Sequence, residues 1–558
     1  MTDTRFNLAT VFDTVARAVP DQEVLVWRDR RLTYHDMNAR VDGVAHFLVT
    51  QGLGCHTARR ELANHESGQD HIGLYLRNGN EYLECMVAGY RARAVPFNVN
   101  YRYVDEELRH LLADAGPRLL VYHAEFAPHV AAVRNSLPGL EHLVQIADDS
   151  GNPLLAGAVD YESIVTTTAP PQMPEPDGDD LFLIYTGGTT GMPKGVLWRQ
   201  HDVYLTAMGG TPFGTRTPFT SYAEIAAAAK RAAGGITFLM PAPFIHGAAQ
   251  WSVFHIINSG GKIVLPNGVR QLDWADALRV AAREHVVSVP VVGDAMARPM
   301  VEELETGRYD LSGLLAVSNG GAPLTPTVRA RLLAALPRLV LLDAVGSSET
   351  GIQMSHVAGA DPDTTVFTPD DNTTVVDDLR ERELGPGDGQ GWLASHGRVP
   401  LGYLGDPART AQTFPVLDGR RHSVPGDRAE RLENGCIRLL GRDAITINSG
   451  GEKIFAEEVE RALTAHPAVR DVLVVGRPSA RWGSEVVAIV QLASAVTDQE
   501  LLAECRRHLA GYKVPKAVLR RPEIVRSPSG KADYRWARQE ASAGEEDRHA
   551  PRHRPVPP

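Results

Sequence analysis

Short apolar runs alternate with helical stretches along most of the chain. HIGLYL is followed by EYLECMVAGYRA and RLLVYH by FAPHVAAVRNSL, while DWADALRVAAREH gives way to the β-branched run VVSVPVV before PRLVLLDAVG. From Phe6 to about Gly441 this rhythm predicts βα units around largely parallel sheets. After GRDAITINSGGEK the pattern restarts with helix EEVERALTAHP, strands VRDVLVVG and EVVAIVQL, and helix DQELLAECRRHL, a compact α+β unit. The break falls near Asp443 to Ile445. The chain thus reads as α/β, with a large N-terminal domain of parallel and mixed sheets flanked by helices over 1–442, a small α+β domain over 443–541, and a disordered tail over 542–558 rich in proline and charge. Two inserts, the polar CHTARRELANHESGQDH from Cys55 and FGTRTPFTSYAEIAAAAKRAAGG over 213–235 with its alanine-rich run, read as tolerated loop growth.

Composition narrows the class. At 558 residues the chain exceeds what one hydrophobic core supports. Its 43% hydrophobic and 22% charged residues are those of an ordinary soluble globular protein. A formal charge of -11 argues against nucleic acid as a partner. Cys55, Cys85, Cys436 and Cys505 have neither metal-ligand spacing nor a disulfide framework, which fits a reducing cytoplasm. The first residues show no basic segment before an apolar core, and no run is long enough to span a bilayer, so a protein neither exported nor membrane-embedded is expected.

The chemistry starts after the apolar run LFLIY. There TGGTTGMPKG packs four glycines, three threonines and one lysine into ten residues. Glycines let backbone N–H groups approach phosphate oxygens, hydroxyls add donors, and a lysine answers a polyanion. Thr186, Gly187, Gly188, Thr189, Thr190, Gly191 and Lys194 are therefore candidate triphosphate contacts. A Walker loop would set its lysine before Ser or Thr at the head of a helix. Here Lys194 lies between Pro193 and Gly195, so the segment reads as a loop between strands LFLIY and VLW. The competing reading is a glycine-rich hairpin turn without a ligand.

With the motifs that follow, the chain resembles the adenylate-forming superfamily of acyl-CoA synthetases, luciferases and peptide-synthetase adenylation domains. YTGGTTGMPKGV is similar to its phosphate loop, SNGGAPL to its adenine-contacting segment, and DAVGSSETG to its second nucleotide motif. The resemblance implies ATP contacts from Gly320, Gly321, Ala322, Pro323, Asp343, Gly346 and Ser347, an α-phosphate contact from Ser348 where the family usually has threonine, and a Mg²⁺ ligand in Glu349. In VPGDRAERLENG it implies that Asp427 holds the ribose hydroxyls, and in LLGRDAITINSGGEKI that Arg442 faces ribose and phosphate. SPSGKADYRW carries Lys531, matching the family's catalytic lysine, with Thr186 and His246 as its implied companions. A positioned ammonium ~4 Å from developing phosphate charge at an effective dielectric of ~20 is worth ~4 kcal/mol, roughly a thousandfold in rate.

The small domain is implied to be mobile, with Ser449, Gly450 and Gly451 near a pantetheine tunnel and Tyr512 and Lys516 of GYKVPK near the coenzyme A nucleotide. PAPFIHGAAQW resembles the segment lining the acyl pocket, and with Gly320 it implies His246, Gly247, Ala248 and Trp251 as acid contacts. Two departures stand out: Val345 where the family often stacks an aromatic on adenine, and Ala444 at the hinge. The expected reaction is ATP-dependent, AMP-forming ligation of an acid to coenzyme A through an acyl-adenylate. GSSETG, GDAMARP and INSGGEK together resemble actinobacterial ligases of steroid side-chain and polycyclic terpenoid acids, implying a bulky hydrophobic acid such as a steroid side chain, a diterpenoid or a fatty acid. The alternatives are an acyl-AMP ligase that loads a carrier protein and a nucleotide-binding regulator without turnover. The sequence does not decide whether a homodimer forms.

Overall fold

The computed structural model describes residues 4–167, 172–186, 193–215, 217–322, 324–357, 365–442, 445–449, 452–479, 483–509, 511–526 and 531–549. Two parallel layers build the large part. In the first, Glu23–Trp27, Lys262–Val264, Thr237–Leu239, Ser288–Val291, Ala316–Gly320 and Val340–Ser347 pair in parallel, in that order. The second orders Val95–Asn98, His71–Tyr75, Pro117–His123, His142–Ile146 and Ala158–Asp160, also parallel throughout. Strands His71–Tyr75, Val95–Asn98 and Ser288–Val291 are buried at every residue, as expected of strands covered on both faces.

Helix Asn80–Arg91 is buried at every residue and shares one core with helices Leu8–Ala18 and Tyr34–Thr50 and with both parallel sheets. A helix without a solvent face must match its charges internally. Glu84 pairs with Arg40 at 2.7 Å, Glu81 with Arg30 at 3.1 Å, and Arg91 with Asp13, Asp42 and Asn38.

The βα rhythm stops earlier than the sequence reading placed it. Beyond Ser347 the chain turns into antiparallel strands, among them Gly351–Val357, Val366–Pro369, Gln390–His396, Asp427–Arg431 and Ile437–Arg442, with one short helix at Pro407–Thr413. Short antiparallel strands joined by Gly- and Asp-rich turns carry the same apolar runs as parallel units, so periodicity alone does not separate the two. The 213–235 insert forms helix Tyr222–Ala232, which packs on Leu8–Ala18. The Cys55 insert is closed at its base by a Cys55–Gln69 bridge, and Gln69 also accepts from Leu181 N at 2.8 Å.

The small part is a three-stranded sheet, Val469–Ser479, Gly483–Leu492 and Ala517–Arg520, flanked by helices Ala456–Thr464, Asp498–His508 and Tyr534–His549. The last helix runs past 541 into the stretch read as tail; residues 550–558 lie outside the described residues, as do Asp443 and Ala444, where the boundary and hinge were expected. Among the described residues no helix is long and apolar enough to cross a membrane.

Gly43 offers a test of the packing. It lies within helix Tyr34–Thr50, where alanine would ordinarily add ~1 kcal/mol of helix stability. A Cβ there would enter the carbonyl of Val165, and overpacking of that kind costs about 1–3 kcal/mol. Gly43→Ala should therefore lower the thermal unfolding midpoint by a few degrees; a rise would show that this contact yields freely.

Candidate active site

Strand Leu181–Thr186 runs antiparallel to Lys194–Arg199, with Thr186 opposite Lys194, and Gly402–Tyr403 adds on the other side. Strand structure resumes at Lys194, so the glycine-rich segment joins two strands rather than opening a helix. Gly187, Gly188, Thr189, Thr190 and Gly191 lie outside the described residues. The Lys194 ammonium stands 5.1 Å from the Tyr403 ring centre. Burial lowers its pKa, helped by nearby Arg409 and offset by Glu349 and Asp406.

A second wall comes from the ends of two parallel strands, where Gly320 pairs with Ala344. Asn319 donates to Asp343 at 2.9 Å and to Ala322 O at 3.1 Å, and accepts from Gly293 N. The remaining Asp343 oxygen takes Arg329 at 2.5 Å, so this carboxylate holds the wall together. Gly321 has φ 80°, a conformation side chains rarely adopt. Gly346 passes so close to Gly351 O that no Cβ fits. Ser347 accepts from Glu349 N at 3.2 Å, and the Ser348 carbonyl accepts from Trp198 Nε1 at 2.8 Å. Glu349 Oε1 accepts from Tyr403 Oη at 2.9 Å, which brings Glu349, Tyr403 and Lys194 into one polar group. Val345 packs against the Met354 and Phe367 cluster. Pro323 lies outside the described residues.

The third wall begins at His246, the residue before helix Gly247–Ile257. A Cβ on Gly247 would stand 3.6 Å from Ser348 Oγ, and one on Gly321 would stand 3.8 Å from Lys531 Cε. The segment leading to His246 is braced by two buried asparagines. Asn78 donates to Ala242 O at 2.9 Å and accepts from Phe244 N at 2.7 Å; Asn98 donates to Ile245 O at 2.7 Å and exchanges bonds of 2.8 Å with the N–H and carbonyl of Tyr185. Ala248 is exposed and Trp251 buried on the helix that follows.

Lys531, His246, Gly247, Gly321 and Ser348 are therefore brought together, with Glu349 and Lys194 as a second group. Asp427 and Arg442 oppose each other across paired strands. Buried Ser449 ends a hairpin strand of the small part, and Gly450 and Gly451 lie outside the described residues. Tyr512 and Lys516 are not joined to the cluster. Their turn is tied to the small part, through Lys513 to Glu458 at 2.7 Å and Lys516 N to Val486 O at 2.8 Å. Sequence reasoning missed Asn78, Asn98, Asn319 and Tyr403. A buried amide at the carboxyl end of a parallel strand is a signal that could have found Asn98; Tyr403 offers none.

The model of AMP-binding enzymes matches residues 12–404, and that of the AMP-binding enzyme C-terminal domain matches 458–531. The chain belongs to the AMP-binding enzyme family. It is 53% identical over 549 residues to the medium-chain acyl-CoA ligase Mig of Mycobacterium avium, covering 97% of this chain and 100% of the relative. It is 37% identical over 551 residues to the 3-oxocholest-4-en-26-oate CoA ligase of Rhodococcus rhodochrous, covering 96% of each. The anthranilate CoA ligase AuaEII, solved with anthranoyl-AMP, shares the fold at a TM-score of 0.80 and 19% identity, covering 97% of this chain and 98% of that one. The chain is an ATP-dependent, AMP-forming acyl-CoA ligase, with Mg²⁺ and coenzyme A as its further requirements.

His246 in this ligase has a buried Nε2 with no hydrogen-bond partner among the described residues, although the residue is partly exposed as a whole. Burial presses its pKa down to about 3, and the positive charges of Lys531 and Arg102 push the same way. The imidazole is thus neutral at ordinary pH. An unfolded histidine titrates near 6.5, so on acidification the unfolded chain takes up the proton first. Stability is then lost as pH falls from about 6.5 toward 3, by up to ~1.4 kcal/mol per unit. His246→Gln should accordingly reduce the loss of unfolding free energy between pH 7 and pH 5, read by urea titration; an unchanged loss would place the imidazole in water.

Proposed function

We propose that this ligase activates a medium-chain or bulky, mostly apolar carboxylic acid, and that Lys531 stabilises the adenylation transition state. The carrying observation is that Lys531 of the small part lies against Gly321, with its charge felt at His246, next to the Gly247 that approaches Ser348 Oγ. In the first step an acid oxygen bonds to the α-phosphorus of ATP as the bond to pyrophosphate breaks. Charge gathers on the phosphoryl oxygens, and Lys531, Thr186, Lys194 and Ser348 supply positive charge and hydroxyl donors to it. In the second step a thiolate bonds to the acyl carbon and AMP leaves.

Neutral His246 beside the acid carboxylate adds no competing positive charge. Gly247, Ala248, Trp251 and Gly320 face the acyl group; Gly321, Ala322, Asp343 and Gly346 shape the adenine side; Asp427 and Arg442 serve the ribose. Ser449, Tyr512 and Lys516 serve the thiol substrate.

Glu349 suits Mg²⁺. It offers a hard anionic oxygen beside the phosphate hairpin, and Mg²⁺ takes one or two carboxylates and completes its shell with phosphate and water. Bound there, Mg²⁺ would offset phosphate charge.

The small residues after His246 and the relatives' printed substrates support an apolar acid of medium length or greater. All groups given roles belong to one chain, so the reaction as proposed needs no second copy. Four free thiols suit a reducing cytoplasm.

Two outcomes test this reading. Lys531→Ala should lower acid-dependent exchange of labelled pyrophosphate into ATP about a thousandfold, and undiminished exchange would remove the lysine from its role. In a panel of acids scored by AMP release with coenzyme A present, medium-chain and polycyclic acids should give the highest kcat/KM; a preference for acetate or propionate would refute the pocket assignment.

A further inference from the structure

Lys531 is flanked in the chain by residues that are tied into the small part. On the near side Arg526 forms a ladder bridge with Ala532, the residue after the lysine. Its guanidinium is held in a fork by Asp471, Nε to Oδ2 at 2.7 Å and Nη2 to Oδ1 at 2.6 Å, with about a quarter of each side chain exposed. On the far side Tyr534 donates to Glu460 at 3.1 Å, three residues past the lysine. Asp471 itself sits at a register shift in strand Val469–Ser479, where its Oδ1 also accepts from Val472 N at 2.8 Å. Bulges of this kind re-aim side chains. The preceding residue, Arg470, reaches Glu302 of the large part at 3.9 Å.

A lysine side chain is long and flexible, so its ammonium is placed only as well as its Cα is placed. A two-bond fork between planar groups fixes both distance and orientation, which a single contact cannot do. We propose that Asp471 is a positioning residue for the first half-reaction: its fork with Arg526 fixes the Arg526–Ala532 bridge beside Lys531, and with it the backbone position from which the lysine reaches the nucleotide. This rests on the role given to Lys531 above. Once the adenylate exists the phosphorus chemistry is over, and the fork has nothing left to position.

The experiment uses the full-length ligase and reads the two half-reactions separately. Asp471→Asn keeps the size and removes the charge and one acceptor. Acid-dependent pyrophosphate exchange should fall about 10–100-fold in kcat, as expected for a displacement of the order of 1 Å, with KM for ATP and acid within about threefold. Thioester formation from prepared acyl-adenylate and coenzyme A should stay within about twofold. Arg526→Lys, whose ammonium cannot make the fork, should show the same split and serves if the first variant does not fold. Equal losses in both half-reactions, or undiminished exchange, would overturn the proposal. Lys531→Ala run in parallel separates the two readings: if it keeps full exchange the lysine assignment is at fault, and if it is inactive while Asp471→Asn is fully active only the positioning role falls.

Discussion

The side-chain amide of Asn98 is the joint on which the site's geometry hangs. It ends a strand of one parallel layer, and with three bonds of 2.7 to 2.8 Å it holds the strand that leads into the phosphate loop and the segment that leads into His246. Those are the two segments to which the proposed reaction assigns ATP and the acid. A buried amide that satisfies backbone groups of two otherwise unconnected segments cannot be lost cheaply, because each orphaned group costs ~1–3 kcal/mol. The same device recurs at Asn78 and Asn319, so three walls of one cleft are set by neutral amides that leave its charge balance untouched.

Charge in the cleft is then arranged by few groups. Lys194 and Glu349 share Tyr403, the cation near the ring face and the carboxylate on the hydroxyl. Lys531 arrives from the small part against Gly321, where a glycine at positive φ leaves room. His246 is kept neutral by burial among positive neighbours. A polyanion placed here would meet positive charge from two directions, beside a neutral imidazole.

Much of this was legible in the sequence, for a physical reason. The family was legible because a loop proposed to approach phosphate needs glycine, hydroxyl and lysine close together in the chain, as in TGGTTGMPKG. The parallel layers were legible where strands covered on both faces, such as His71–Tyr75 and Ser288–Val291, form short apolar runs between helical stretches. The antiparallel lobe after Ser347 was not, since short strands look alike whichever way they pair. Asn98 and Tyr403 escaped because their partners lie far off in sequence: Asn98 acts on Tyr185 and Ile245, and Tyr403 on Glu349. Asp343, read as a nucleotide contact, spends both its oxygens on Asn319 and Arg329, which no local pattern discloses.

The third strand of the phosphate hairpin, Gly402–Tyr403, joins Lys194–Arg199 from some two hundred positions downstream. During synthesis at ~5–20 residues per second, that edge stays open on the order of ten seconds or more. An unpaired edge beside an apolar strand is a template for a neighbouring nascent chain. The sheet that carries Lys194 is therefore completed only after the whole middle of the chain has been made.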